Sequence, residues 1–250
     1  MQHQKHNRHH HEKEHGKRIA SNAEIIWGWA TPAGKLRAQR RADFFIKYGN
    51  INKSSKVLEL GCGTGFFTKI VALSGAHIRA IDLSTDLLEI ARKSEESKSR
   101  HNNIEYVTGN IETGEGFIGE YDTIYGSSVL HHVDLDLAMP HVFNALKTGG
   151  KIVFTEPNLL NPQIWLERNI PMIRKKLNVS PDETAFVRYS LKKKLLKYGF
   201  SNVYIKTFDW LHPLTPTPLI PFVRSVGFLL ENSFLIKEIS GSLLITAEKN

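Results

Sequence analysis

Three glycines, Gly61, Gly63 and Gly65, alternate directly after an apolar run that ends at Leu60, and a helical pattern follows them. Glycine allows a positive φ angle and lets the backbone approach a ligand with no Cβ between them. A turn from a strand into a helix also points backbone amides at whatever binds above it. The spacing therefore predicts a nucleotide-binding turn. Dinucleotide-binding turns place their third glycine one residue later, where this chain has Phe66, so the spacing favours a different ligand.

A second apolar segment, residues 78–83, has the acidic residue Asp82 near its end. Nucleotide-binding folds place a ribose-binding acid about 20 residues after the first glycine, which is the separation of Gly61 and Asp82. Such a carboxylate can accept hydrogen bonds from both ribose hydroxyls. This spacing suits NAD as well as S-adenosylmethionine, so the later segments must decide between them.

Three later segments have the pattern of strands that end in polar loops, and they span residues 104–111, 121–133 and 146–157. The first ends near Asn110, and the second carries Ser127 and the adjacent histidines. The third contains paired glycines and closes on Glu156.

In this order and spacing, the five blocks resemble the class I S-adenosylmethionine-dependent methyltransferases, specifically the small-molecule branch that includes the quinone-methylating enzymes. The resemblance covers roughly residues 56–157. It implies S-adenosylmethionine as the cofactor and methyl transfer to oxygen, carbon or nitrogen of a small-molecule acceptor, apolar acceptors included. An RNA methyltransferase, an NAD-linked oxidoreductase and a catalytically silent cofactor-binding scaffold are the alternatives.

The resemblance implies cofactor contacts at ten positions: Glu59, Gly61, Cys62, Gly63, Gly65, Asp82, Leu83, Asn110, Ile111 and Ser127. By the same resemblance, Glu59 and the glycine turn hold the amino-acid part and the sugar edge, and Ser127 meets the methionine portion. Leu83 and Ile111 contact the adenine faces. Many relatives carry an aspartate where this chain has Asn110, but an amide oxygen can still accept a hydrogen bond from the adenine amino group.

A hydroxyl acceptor would need a general base, and three residues are candidates: His131, His132 and Glu156. An unperturbed histidine titrates near neutral pH and suits proton transfer. A histidine at this position is also a structural element of the family that the chain resembles. The alternative role of Glu156 is to accept hydrogen bonds from nearby backbone amides.

The alternation of strand and helix patterns predicts an α/β fold, a doubly wound and mostly parallel sheet with helices on both faces. By resemblance the sheet has seven strands, and the last of them is antiparallel. Residues 21–48 add a helical segment at the amino terminus. Its residues Trp27 and Trp29, with Arg37, Arg40 or Arg41, either cover the cofactor and shape the acceptor pocket or pack the helix onto the sheet.

The composition bounds the remaining functions. The single cysteine, Cys62, excludes an intramolecular disulfide and argues against an oxidising compartment, and the sequence has neither a transmembrane-length apolar stretch nor a signal-peptide pattern. We therefore expect a cytoplasmic protein. The formal charge of +8 lies partly in a histidine-rich segment, residues 1–18, that we expect to be disordered. No metal site is predicted, although such a tract can capture zinc or nickel adventitiously.

Residues 19–250 are expected to form one methyltransferase domain with two insertions that shape the substrate site, at about 158–189 and 209–238. The second insertion begins with closely spaced prolines and then turns apolar, so a loop leading into a helix is expected. It either packs on the sheet, or covers an apolar acceptor, or touches a membrane surface through residues 210–222. Nucleic acid is not an expected partner, because the basic runs at residues 174–176 and 192–194 contain no aromatic residue. No obligate protein partner is inferred.

Overall fold

A computed structural model of the chain describes residue 11 and residues 13–96, 103–176 and 183–250. Its centre is one seven-stranded sheet with the order β3-β2-β1-β4-β5-β7-β6. The strands are β1 (Lys56–Leu60), β2 (His77–Asp82), β3 (Ile104–Thr108), β4 (Tyr121–Ser127), β5 (Leu146–Pro157), β6 (Ser201–Phe208) and β7 (Ser242–Glu248). The first five strands pair in parallel, whereas β7 runs antiparallel to both β5 and β6. The predicted fold class is confirmed.

Helices cover both faces of the sheet. In the described residues they are α1 (13–19), α2 (Ala23–Ile26), α3 (Pro32–Gly49), α4 (Phe66–Ala72), α5 (Thr85–Glu96), α6 (Leu135–Asn144), α7 (Pro162–Asn169), α8 (Pro171–Lys176), α9 (Arg188–Lys197) and α10 (Ile220–Asn232). None of these helices is long and apolar enough to cross a membrane.

The central strands are apolar on both faces because helices cover both sides. Consecutive strand residues point to opposite faces, so Ile124 and Phe154 join one core cluster while Tyr125 and Val153 join the other. All four side chains are fully buried. This double core fixes the carboxyl ends of the strands at one rim of the sheet.

Local sequence signals set the bounds of α3. The Thr31 side chain accepts a hydrogen bond from the Gly34 amide (2.9 Å), and Pro32 occupies the first turn. Asn50 ends the helix in the left-handed conformation with φ +54°. The Thr31 hydroxyl also donates to the carbonyl of Pro213 (2.7 Å), so this cap ties the amino-terminal segment to the second insertion.

Helix α9 differs from its prediction at its start. The sequence pattern predicts a helix over residues 190–198 that Ser190 caps and Gly199 ends. In the structure α9 begins at Arg188 after Val187, and the Ser190 hydroxyl donates to the Val187 carbonyl (3.0 Å). The position of the serine inside the first turn therefore makes the capping prediction wrong. Gly199 does follow the helix, with φ +96°.

The amino-terminal segment also differs from the expected disorder. Residues 1–10 and 12 lie outside the described residues, whereas residues 13–19 form α1. Gly16 packs so closely on Ser84 that a Cβ there would lie 2.7 Å from the hydroxyl oxygen. Ile19 is buried with Ala23 and Leu87. A few small and apolar residues among the histidines thus suffice to dock one helix.

A largely buried cluster of charges joins α3 to Asp209, directly after β6, and to Glu231 of α10. Arg37 and Arg41 both donate to Asp209 Oδ2, at 2.9 and 3.1 Å, and Arg40 makes a two-pronged pair with Glu231 at 2.7 and 2.5 Å. Burial alone raises the pKa of Asp209, but the two arginines outweigh burial, so the pKa is lowered overall. Asp209 therefore carries a negative charge that is paired inside the protein.

Replacing Asp209 with asparagine should lower the free energy of unfolding by about 3–5 kcal/mol, because two arginines then lack their buried counter-charge. Asparagine tolerates the positive φ of this position, +81°, so backbone strain is not added. Urea denaturation at pH 7 measures the loss. Asp43→Asn on the exposed side of α3 is the matched control and should stay within about 0.5 kcal/mol. Equal stability of the two variants would contradict this account of the cluster.

Candidate functional site

The glycine turn has the conformation that its sequence predicts. Gly61, Gly63 and Gly65 have φ angles of +66°, +53° and +72°. Close neighbours add a second reason for glycine, because a Cβ on Gly61 would lie 2.5 Å from Val129 and one on Gly63 would lie 2.9 Å from Trp27. The turn is therefore fixed by both conformation and space, and its backbone faces a cavity above the sheet.

Asp82 ends β2 next to this turn. Its Oδ2 accepts a hydrogen bond from the Gly63 amide (2.8 Å), and its Oδ1 accepts from the Ser84 amide (2.8 Å). The carboxylate thus links the glycine turn to the turn that precedes α5, and it lines the same cavity.

The cavity has a volume of about 660 Å³ and lies at the carboxyl ends of the parallel strands, where ligands of such sheets bind. Ten of the predicted site residues line it: Gly61, Cys62, Gly63, Asp82, Leu83, Asn110, Ile111, Ser127, His131 and His132. The structure therefore brings most of the predicted positions together around one space. Glu59, Gly65 and Glu156 do not line it.

Glu59 lies behind the glycine turn and not at the ligand side. Its side chain is buried within β1, and its Oε2 accepts a hydrogen bond from the Tyr125 hydroxyl (2.8 Å). Burial raises its pKa to about 7. Gly65 ends the glycine turn as the N-cap of α4, where a Cβ would lie 2.5 Å from the Tyr106 hydroxyl oxygen. Both residues lie outside the lining of the cavity, because Glu59 is still within β1 and Gly65 already caps α4.

Cys62 is a free and buried thiol within the turn. Its backbone amide donates to the Ile81 carbonyl (3.0 Å), which holds the turn against β2. Burial raises the pKa of the thiol well above its ordinary value, so it is protonated at neutral pH. This state agrees with a packing role and not with a nucleophilic one.

Asn110 follows β3 and faces the cavity. Its side-chain oxygen accepts a hydrogen bond from the Glu112 amide (2.9 Å), which closes the local turn. An amide oxygen has two lone pairs and can accept more than one hydrogen bond. Ile111 and Leu83 line the same part of the cavity.

The Ser127 hydroxyl is held by two residues behind the cavity. Its hydroxyl oxygen accepts from Arg41 Nη1 (3.2 Å) and from the Thr155 hydroxyl (3.0 Å). Arg41 is itself buried, and burial lowers its pKa to about 10, which still leaves it charged at neutral pH. An arginine of α3 therefore positions a cavity residue at the end of β4, although no spacing in the sequence connects the two.

His131 and Glu156 form a buried pair. His131 Nδ1 lies 2.7 Å from Glu156 Oε2, and Glu156 Oε1 accepts from the amides of Val129 and Leu130 (2.9 and 2.8 Å). The carboxylate of Glu156 is thus fully engaged and sealed from the cavity, and a role as the base facing the acceptor does not fit this geometry. Burial first, and then the neighbouring His132, lower the pKa of His131. His131 is neutral at pH 7, and its Nε2 is the ring nitrogen left for the cavity.

The polar end of the cavity contains two charged residues that were not predicted, beside His131 and His132. The donor atoms of His131, His132 and Glu183 all lie within 4.8 Å of one another, and Arg168 Nη1 contacts Glu183 Oε2 at 2.5 Å. Arg168 and Glu183 come from the first insertion and line the cavity. Their charges cancel by pairing, and no motif in the sequence distinguishes them from surface residues.

The amino-terminal segment forms the opposite wall. Trp27 lies against Gly63, and Trp29 packs edge-on against Phe67 with the ring centroids 5.3 Å apart. Both tryptophans also line the cavity. The two functions that the sequence left open, packing and cavity lining, are therefore combined, and a hydrogen bond from Thr64 to Glu24 (3.1 Å) fastens this wall to the glycine turn.

Comparisons with known proteins agree with this geometry. Residues 58–152 match the family model described as a methyltransferase domain. The ubiquinone biosynthesis O-methyltransferase of Erwinia tasmaniensis is 30% identical over 128 residues, which are 50% of this chain and 51% of the relative. The chain spans about half to three fifths of the length of the curated relatives it matches first.

Solved structures share the fold at low identity. The phosphoethanolamine N-methyltransferase 2 of Haemonchus contortus, solved with S-adenosyl-L-methionine, superposes with a TM-score of 0.62 at 15% identity, covering 90% of this chain and 55% of that one. The N-methyltransferase NodS of Bradyrhizobium japonicum, solved with S-adenosyl-l-homocysteine, has a TM-score of 0.61 at 15% identity, covering 95% and 98%. Residues 58–152 therefore match a methyltransferase domain, and the chain is similar to class I S-adenosylmethionine-dependent methyltransferases, quinone-methylating enzymes among them.

The residues present fit S-adenosylmethionine. Two positions of the turn leave no space for a Cβ, so only bare backbone faces a ligand there. The Asp82 carboxylate stands beside that backbone, and the cavity volume is within the range of small-molecule sites, about 300–1,000 Å³.

Replacing Asp82 with alanine should weaken the binding of S-adenosylhomocysteine by about 1.5–3 kcal/mol, the range of hydrogen bonds to charged groups. Titration calorimetry measures the change. Asp86→Ala on the exposed first turn of α5 is the control and should bind normally. Asp82 also accepts two backbone amides, so circular dichroism must show a folded variant. Unchanged affinity in the folded variant would remove Asp82 from the site.

Proposed function

We propose that this protein transfers the methyl group of S-adenosylmethionine to a hydroxyl of a small and largely apolar acceptor. One observation carries the proposal: the glycine turn, Asp82 and a histidine held by a carboxylate all line a single cavity. The first of these features suits a nucleotide cofactor, and the last suits the removal of a proton. Their shared cavity is what a transfer reaction between two bound molecules needs.

The cofactor would lie along the rim formed by β1, β2 and β3. The backbone of Gly61 to Gly63 and the carboxylate of Asp82 would hold its polar parts, while Leu83 and Ile111 would pack on the adenine. Ser127, positioned by Arg41, would meet the methionine portion. When bound, S-adenosylmethionine supplies a methyl group that its sulfonium has already activated.

The protein contributes placement and a base. Holding two reactants in a productive orientation can supply about 7–11 kcal/mol of the barrier. His131 Nε2 would accept the proton of the acceptor hydroxyl as the hydroxyl oxygen bonds to the methyl carbon. The bond from that carbon to the cofactor sulfur would break in the same step, and S-adenosylhomocysteine would be the leaving group. Glu156 is a positioning residue in this scheme, because it fixes the imidazole through Nδ1 and stabilises the positive charge that the ring then acquires.

The walls of the remaining space favour an apolar acceptor with one polar end. Trp29, Phe66 and Pro157 supply apolar surface, and the paired Arg168 and Glu183 lie beside the histidines. Relatives named for ubiquinone biosynthesis are O-methyltransferases by name, which supports an oxygen acceptor. We further propose a cytoplasmic location with contact to a lipid surface, and we propose no nucleic-acid partner.

Methyl transfer from labelled S-adenosylmethionine tests the proposal directly. The assay compares dihydroxybenzenes with and without an isoprenoid tail, matched aromatic amines, and a structured RNA. We expect labelling of the hydroxylated acceptors, with the tailed compounds having the higher kcat/KM. Exclusive labelling of RNA, with an affinity that falls steeply as salt rises, would contradict the proposal, and labelling of amines alone would contradict its choice of oxygen.

Replacing His131 with glutamine should lower kcat by about 10²- to 10⁴-fold on a hydroxyl acceptor, the contribution of a general base. Cofactor affinity should not change. Because burial lowers the pKa of His131, the wild-type rate should fall only below the ordinary histidine pKa of 6.5. His77→Gln at the exposed start of β2 is the matched control. An unchanged kcat in the His131 variant would assign this histidine to structure alone.

A further inference from the structure

Exposed apolar side chains cluster in the second insertion, on α10 and the turns that follow it. We define the apolar face by six of them: Phe222, Phe228, Leu229, Phe234, Leu235 and Ile236. The three phenylalanines are 67–83% exposed. Since an aromatic side chain carries about 150–250 Å² of surface, these rings alone expose on the order of 330–550 Å², the size of the largest patch on a typical monomer.

Helix α10 packs on the protein only along a narrow strip. Its buried residues are Ile220, Gly227 and Glu231. Gly227 lies under Trp210, where a Cβ would come within 3.1 Å of the tryptophan side chain. The opposite side carries Phe222 and Leu229 two turns apart, so the helix turns apolar residues to the outside instead of the core.

The charges of this segment have an uneven distribution. Residues 209–241 contain three acidic side chains, and each is paired inside the protein: Asp209 with Arg37 and Arg41, Glu231 with Arg40, and Glu238 with Arg188. The two basic side chains of the segment are Arg224 and Lys237. Arg224 is exposed one turn before Phe228, and the Lys237 ammonium lies 5.9 Å from the centre of the Phe234 ring. The apolar face is thus bordered by cations, and the acids of its own segment are withdrawn from it.

This charge pattern selects one kind of partner. A symmetric dimer would bring the face of one copy against the same face of the other, and the segment offers no exposed acid to meet Arg224 and Lys237. An anionic bilayer supplies both an apolar interior and negative headgroups, and helices with this pattern lie in the interface with their apolar side inserted. We propose that the apolar face docks this protein on an anionic lipid surface.

Docking through the apolar face would bring the acceptor cavity close to the membrane, an inference that rests on the proposed function. The loop before α10 packs on the amino-terminal segment that forms one cavity wall, since Pro213 lies against Gly28 and its carbonyl accepts a hydrogen bond from Thr31. His212 lies 3.4 Å from Gln163 of α7, the helix that also carries Arg168. A protein seated on lipid through α10 would therefore place its acceptor cavity near the membrane, where an apolar acceptor is dissolved.

Cosedimentation with phosphatidylcholine vesicles, with and without phosphatidylglycerol, tests the docking. We expect binding that depends on phosphatidylglycerol and weakens as salt rises. The triple variant Phe228→Ser, Leu229→Ser and Phe234→Ser should bind at least about tenfold more weakly. Arg224→Gln or Lys237→Gln should each weaken binding on the order of fivefold, the value of one cation near an anionic surface.

The matched control is the triple variant Leu73→Ser, Ile118→Ser and Leu196→Ser, which removes exposed apolar side chains elsewhere. It should bind vesicles as the wild type does. Absence of vesicle binding by the wild type, or equal loss in both triple variants, would overturn the proposal. A dimer in sedimentation equilibrium that only the first triple variant dissociates, without vesicle binding, would assign the face to a second copy. Titration with S-adenosylhomocysteine in the same samples separates this result from failure of the proposed function.

Discussion

Backbone amides in the loops beyond the strand ends need acceptors, and carboxylates near the same rim supply them. Asp82 accepts from the amides of Gly63 and Ser84, and Glu156 accepts from those of Val129 and Leu130. Each carboxylate thereby fixes a loop that carries site residues. An unpaired buried amide would cost about 1–3 kcal/mol, so the shape of the cavity rim depends on these bonds.

The carboxylates that fix these loops also have roles in the site. Asp82 holds the glycine turn and remains beside the ligand, while Glu156 holds a loop and orients His131 through its second oxygen. Arg41 lies behind the cavity rim, where it pairs with Asp209 and donates a hydrogen bond to Ser127. The charged groups behind the cavity therefore form a support whose members touch both the core and the rim, and the fold and the site cannot vary independently.

Much of the fold was predictable because its signals are local and repeated. The apolar run that ends at Leu60 forms β1, and the apolar segment that contains Asp82 forms β2. The positive φ angles at Gly61 and Gly63 follow from the turn that their spacing indicates. Residues at the strand ends or just beyond them, such as Asp82 and His131, were found by the same logic, because parallel strands gather their carboxyl ends at one rim.

The remainder depends on contacts between distant segments, which no local pattern encodes. Glu59 has a cofactor residue's position in the motif but points back to Tyr125. Arg168 and Glu183 pair across an insertion whose sequence carries no periodic signal. The docking of α1 depends on Gly16 meeting Ser84, a contact visible only once α5 is in place.

The central claim is that the cavity binds S-adenosylmethionine and not a dinucleotide, and a thermal-shift comparison of S-adenosylhomocysteine with NAD tests it most directly. At about a hundred times the dissociation constant, linkage gives roughly 2.7 kcal/mol of stabilisation. For a chain of this size, that corresponds to a rise in Tm of about 5–10 °C. The structure predicts this rise with S-adenosylhomocysteine and none with NAD. A rise with NAD alone would contradict the assignment of the site.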